Sequence, residues 1–197
     1  MIKEALSGFN LILGSGSPRR KQLLTQMEIP FKQVVRPVDE DYPPHLKKSE
    51  ITDYLTQLKA EAFSDLKENE ILVTCDTIVW KGNSALNKPS TYNEAKEMLN
   101  QLSGSSHEVI TSITFKSIKN NYTVNCTTQV HFKELTASEI DHYIINYKPY
   151  DKAGAYGIQE WIGKIGITKI EGSYENVVGL PTHLFYKGLL QFLQQQK

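Results

Sequence analysis

From Val109 to Phe132 the sequence describes a long antiparallel hairpin, and that feature limits the available folds most. Tyr122, Val124, Cys126, Thr128, Val130 and Phe132 alternate with polar residues, the period-two pattern of a strand with one buried face. Asn120-Asn121 provides turn chemistry joining it to a preceding apolar strand over Val109 to Ile118. Such a hairpin argues against a purely parallel sheet.

The remaining segments alternate between strand and helix. Asn10 to Leu13 is a short apolar run, and Ser17-Pro18 just after it has the chemistry of a helix cap and first position. Leu23, Leu24 and Met27 line that helix; Phe31 to Val35 reads as a second strand. Pro37, Pro43 and Pro44 bracket an acidic loop. Ile51, Leu55, Leu58 and Ala62 share a helical face after Ser49, a candidate cap. Ile71 to Trp80 is apolar and β-branched, and Lys81-Gly82-Asn83 turns the chain. Thr91 with Glu94 and Thr136 with Glu139 have capping-box spacing, each opening an amphipathic helix; the first ends at Gly104, and the second buries Ile140, Tyr143, Ile144 and Tyr147. Pro149 to Gly179 is glycine-rich without a sustained period, and Pro181 starts a last helix through Phe185, Leu189 and Phe192. The expectation is one α/β domain over residues 1–197, with a mixed, partly antiparallel sheet flanked by helices.

Composition narrows the functional class. The 22 basic residues equal the 22 acidic ones, whereas a chain that coats nucleic acid carries a basic excess. An anionic partner is therefore expected to be small and held by a local cluster of cations. Cys75 and Cys126 read as core thiols of two strands, without disulfide or zinc spacing. Met1 to Gly8 lacks the apolar centre of a signal peptide, and no run approaches membrane-spanning length, so a cytoplasmic location is expected. The five histidines, at 45, 107, 131, 142 and 183, have no metal-pair spacing and receive no role.

Four places have the chemistry to bind or react. Gly14-Ser15-Gly16-Ser17-Pro18-Arg19-Arg20 joins a strand to a helix N-terminus, where backbone amides and the helix dipole attract anions. Arg19 and Arg20 oppose that dipole, and a bound anion would relieve the conflict. The segment is neither a dinucleotide loop, which needs glycine where Arg19 stands, nor a P-loop. An ordinary strand-to-helix turn with solvated arginines is the competing reading. Asp76 puts a carboxylate in an otherwise apolar strand, which is costly unless it is paired, metal-bound or open to a cleft. Thr77 presents a hydroxyl to the opposite face. Lys59 and Lys88, each read alone, are solvated lysines, and Glu40 belongs to an acidic loop able to help bind a divalent metal. In Asp151 to Gln159 small residues permit close approach of a flat ligand, and the Gln159 amide suits a base edge.

Taken together, Ser15 to Arg20, Cys75-Asp76-Thr77, Lys88-Pro89, Leu102-Ser103-Gly104, Asp151 to Gln159 and Gly172 to Pro181 resemble the Maf family in order and spacing. The resemblance spans essentially the whole chain. It implies a pyrophosphatase that uses a divalent metal (Mg2+, Mn2+ or Co2+) to convert a nucleoside triphosphate to monophosphate and pyrophosphate, cleaning the nucleotide pool. It also implies a two-lobed α/β fold around a central cleft, shared with the inosine-triphosphate pyrophosphatases, and a homodimer. The family's general base maps onto Asp76, a residue that with Glu40 would also hold metal. Base-discriminating positions map onto Arg19, Thr77 and Gln159, and other substrate positions onto Ser15, Arg20, Lys59, Lys88 and Asp151. The Arg-Arg pair with the Gly-Ile-Gln ending looks like the branch acting on dTTP and UTP. Methylated GTP as substrate, or a nucleotide-binding regulator of septum formation, are the competing readings. One departure stands out: Glu160-Trp161-Ile162 occupies the place of the family's glycine-rich turn after Gln159.

Overall fold

The computed structural model describes residues 2–196. In chain order the elements are α1 (Ile2–Ala5), β1 (Asn10–Leu13), α2 (Pro18–Gln26), β2 (Lys32–Gln33), α3 (Ser49–Glu61), β3 (Glu70–Lys81), β4 (Ser84–Leu86) and α4 (Tyr92–Leu102). Then follow β5 (Ser106–Lys116), β6 (Asn121–Phe132), α5 (Ala137–Tyr147), a 3-10 turn (Ala153–Ala155), α6 (Trp161–Gly166), β7 (Ile167–Glu171), α7 (Tyr174–Val178) and α8 (Thr182–Gln194). One seven-stranded sheet runs β2-β1-β3-β5-β6-β7, with β4 added to β3. It is mixed, as expected: β1 is parallel to both β2 and β3, whereas β3–β4 and β6–β7 are antiparallel.

Contacts divide the chain into two compact units. The first comprises residues 1–76, 111–126 and 179–197; the second comprises 77–110 and 127–178. In the first, alternation along β1 and β3 buries both sheet faces, as parallel strands require. Leu11, Leu13, Ile71, Val73 and Cys75 pack with Leu24 of α2 and Phe185, Leu189 and Phe192 of α8. Ile12 and Leu72 pack the other way, against Ala60 and Phe63 at the end of α3. The second unit gathers Ala95, Leu99 and Leu102 of α4, Ile140, Tyr143 and Ile144 of α5, and Val130 and Phe132 of β6 into one core.

Local signals explain several elements. Ser17 caps α2 by accepting the Arg20 N–H, with Pro18 at the first position. Thr136 and Glu139 form the reciprocal capping box of α5. At α4 only half of the box forms: Thr91 accepts the Glu94 N–H, while the Glu94 carboxylate accepts that of Ser90 at 2.7 Å. Ser49 is the first helical residue of α3 and not its cap; Lys48 takes that place at φ 51°, and the Glu50 carboxylate accepts the Lys47 N–H at 2.9 Å. The second strand is shorter than the sequence suggests. Only Ile12 and Leu13 of β1 remain to pair with Lys32 and Gln33 before the Gly14 turn, and Val35 is left 60% exposed. Tyr147 is exposed and stacks on Tyr143 at 5.1 Å, and Cys126 is half-buried, not core.

Candidate functional site

Asp76 owes its surroundings to strand alternation. Leu72, Thr74 and Asp76 share the face of β3 that α3 covers. Thr56 and Lys59, one turn apart on α3, meet the last two of these as successive rungs. The Thr74 hydroxyl donates to the Thr56 carbonyl at 2.7 Å, and the two hydroxyls lie 3.0 Å apart. One turn on, Lys59 Nζ donates to Asp76 Oδ1 at 2.6 Å and lies 3.0 Å from Glu40 Oε1. Asp76 is 6% exposed, a depth at which a carboxylate needs a compensating cation. The solvated lysine expected at position 59 is instead the ammonium on which two carboxylates converge.

The Gly14–Arg20 turn is held from within. Arg20 Nε donates to the Gly179 carbonyl at 2.9 Å, and Nη1 donates to Ser15 Oγ at 3.0 Å and to the Cys75 carbonyl at 2.8 Å. Ser15 is buried; its hydroxyl also accepts the Ser17 N–H at 3.3 Å, and its carbonyl accepts from Gln33 Nε2 at 2.7 Å. Arg20 therefore pins the turn to β3 one residue before Asp76, while Arg19 lies half-buried in the first turn of α2. Neighbouring Cys75 is fully enclosed, and burial pushes its thiol up to about 11, so it is no nucleophile at neutral pH.

Thr77, Lys88, Asp151 and Gln159 belong to the second unit. Gly154, at φ 67°, lies so close to Val79 of β3 that an added Cβ would sit 3.0 Å from both Val79 methyls. Its N–H donates to the Asn87 carbonyl at 3.3 Å, which sets the turn bearing exposed Lys88 beside the 151–159 segment. Lys152, passed over in the sequence, is buried and bridges Asp151 Oδ1 at 2.6 Å and Glu160 Oε1 at 3.1 Å. Its signal was its place directly before the small and apolar run Ala153 to Ile158. Gln159 Oε1 is buried without a hydrogen-bond partner. An orphaned buried acceptor costs about 1–3 kcal/mol, which singles out Gln159 as a candidate binding residue.

Among the described residues no group of three or more Asp, Glu, His or Cys side chains could hold a metal ion. Glu40 and Asp76 still fit a hard divalent cation, because magnesium is commonly held by one or two carboxylates and completed by substrate phosphate and water. No helix among the described residues is long and apolar enough to cross a membrane.

Residues 10–192 match the family described as Maf-like protein. A dTTP/UTP pyrophosphatase of Christiangramia forsetii is 56% identical over 98% of this chain and 99% of its own. A dTTP/UTP pyrophosphatase of Flavobacterium johnsoniae is 52% identical over 96% of this chain and 98% of its own. The solved structure of the Staphylococcus aureus Ham1 protein aligns with a TM-score of 0.46 at 12% identity, over 95% of this chain and 100% of that one.

Proposed function

The chain belongs to the Maf family, and on that premise we propose that it is a nucleoside triphosphate pyrophosphatase acting on dTTP and UTP. The observation that carries this reading is the identity of 56% with a dTTP/UTP pyrophosphatase over nearly the full length of both chains. What supports placing the chemistry at Asp76 is the meeting of its carboxylate and that of Glu40 on the Lys59 ammonium.

In the proposed reaction a water oxygen attacks the α-phosphorus. The bond from that phosphorus to the bridging oxygen breaks, and pyrophosphate departs with the electron pair. Asp76 accepts the water's proton as general base. Lys59, Lys88 and Arg19 neutralise charge on the departing pyrophosphate. A divalent cation held by Glu40 and Asp76 would supply further neutralisation of the phosphate oxygens. Arg20 and Ser15 hold the backbone of the first turn in place, with Arg20 acting chiefly through its protein acceptors. Asp151 and Thr77 contact the nucleotide, and Gln159 reads the base. Uracil and thymine both present an N3–H donor, the partner that the buried Gln159 Oε1 lacks. A site built around such a bond rejects bases without the donor.

Pyrophosphate release measured with dTTP, UTP, CTP, dGTP and methylated GTP, each with magnesium, manganese or cobalt, tests the reading. The expected result is preferential turnover of dTTP and UTP. Equal turnover of purines and pyrimidines removes the base assignment. The Asp76→Asn enzyme should lose roughly 10²–10⁴-fold in kcat, the span of general-base catalysis.

A further inference from the structure

Glu160 stands immediately after the proposed base-reading residue. Both of its carboxylate oxygens are engaged. Oε2 accepts the Tyr143 hydroxyl, and Oε1 lies 3.1 Å from Lys152 Nζ. The Tyr143 oxygen in turn accepts the Gly157 N–H at 3.0 Å, and Lys152 Nζ reaches Asp151 Oδ1 at 2.6 Å. Tyr143 is fully buried, and the Lys152 side chain is 9% exposed. Tyr143, Lys152 and Glu160 are therefore largely withdrawn from solvent, where a satisfied polar cluster specifies one arrangement and a broken one is costly, while the Asp151 end of the network is open to water.

This cluster clamps the backbone on both sides of Gln159. A Cβ at Gly157 would sit 2.8 Å from Glu160 Cδ and 3.1 Å from Lys152 Cε, so the acid and the lysine stem lie directly across the chain there. The Glu160 N–H donates to the Gly157 carbonyl at 3.0 Å. On the other flank a Cβ at Gly163 would fall 1.9 Å from the Ile158 carbonyl oxygen, so α6 packs against the residue preceding Gln159. A backbone held at 157, 158 and 160 fixes the point from which the Gln159 side chain starts, and with it the reach of its buried oxygen. Holding a recognition group ready, rather than letting it relax, is what converts a hydrogen bond into selectivity.

We propose that Glu160, gripped by Tyr143 and Lys152, is the positioning residue for base selection, presenting the Gln159 amide to the pyrimidine and tying Asp151 into the same frame. This rests on the pyrophosphatase reading above. Glu160 touches no reacting atom; it acts through Gln159 and the backbone at Gly157.

Steady-state kinetics of Glu160→Gln on dTTP and dCTP test the proposal. The substitution keeps the shape of the side chain and removes its charge. KM for dTTP should rise roughly tenfold with a smaller change in kcat. The kcat/KM preference for dTTP over dCTP should fall by a similar factor, because thymine offers an N3–H donor to Gln159 Oε1 where the N3 of cytosine is an acceptor. Lys152→Arg should retain the preference and Lys152→Met lose it. Tyr143→Phe, which deletes one hydroxyl from a packed ring, gives the same readout where Glu160→Gln does not fold. An unchanged preference, or an equal loss for both nucleotides, overturns the positioning role. Absence of pyrophosphate release from every triphosphate by the unaltered enzyme would instead sink the pyrophosphatase reading.

Discussion

Lys59 Nζ meets Asp76 Oδ1 at 2.6 Å with the two side chains 15% and 8% exposed, so the two charges balance each other below the surface. Removing one member of such a pair strands the other, at a typical cost of about 3–5 kcal/mol, whereas removing both is far milder. Lys59→Met should therefore destabilise the protein more than the double variant Lys59→Met/Asp76→Asn. Urea unfolding of the three proteins reads the difference. A double variant as unstable as Lys59→Met, or more so, would mean that losing the lysine does not strand the Asp76 charge.

The same ammonium lies 3.0 Å from Glu40 Oε1, so Lys59 occupies the oxygens proposed to hold metal. A divalent cation and Lys59 then contend for the same carboxylates when no nucleotide is present. Calorimetric titration with Mn2+ should show tighter binding to Lys59→Met than to the unaltered chain. Unchanged or weaker binding would separate the metal from the Glu40–Asp76 pair.

His107 is 3% exposed, and its Nε2 lies 2.8 Å from the Tyr156 hydroxyl. Burial first, and then the charge of Lys81, push its imidazole down to about 3. The folded state thus binds the proton less well than the unfolded chain, whose imidazole titrates near 6.5. Stability from the neutral ring is complete above about 6.5 and is lost progressively as pH falls toward 3, by at most about 1.4 kcal/mol per unit. Between about pH 6.5 and 5, above the ordinary carboxylate range, His107→Gln should show a flatter stability profile than the unaltered protein. Parallel profiles across that window would refute the assignment.

Gly163 has no room for a methyl group, because its Cβ would fall 1.9 Å from the Ile158 carbonyl oxygen, a backbone atom that cannot rotate away. Gly163→Ala should cost about 3 kcal/mol, the upper end of ordinary overpacking. The displaced residues adjoin Gln159, so the preference for dTTP should fall along with the melting temperature. A thermal melt within a degree of the unaltered protein would show that α6 shifts freely.

Elements with a long local pattern were legible in the sequence. The period of Tyr122 to Phe132 and the Thr136–Glu139 box each lie within one element, and the structure has both. The stretch from Pro149 to Gly179 hid α6, β7 and α7, because elements of five or six residues are too short to show a period. The C-terminal run Gln194-Gln195-Gln196 has no periodicity to place it. Gln196 is in fact buried, accepting from Ser117 Oγ and donating to Asn120 Oδ1, both at 2.8 Å, and no local pattern could announce partners that far away.

The candidate site divides along the same line. Alternation along β3 by itself sets Asp76 and Cys75 on opposite faces, and the order of the motifs by itself indicated the family. Only the tertiary structure decided that Lys59 is the cation beside Asp76, that Arg20 is tied to Gly179 across 159 positions, and that Glu160 is gripped by Tyr143 and Lys152. The reason is physical. Periodicity and capping are properties of neighbouring residues on one backbone, whereas a buried charge takes whichever partner the packing of separate elements brings within about 3 Å.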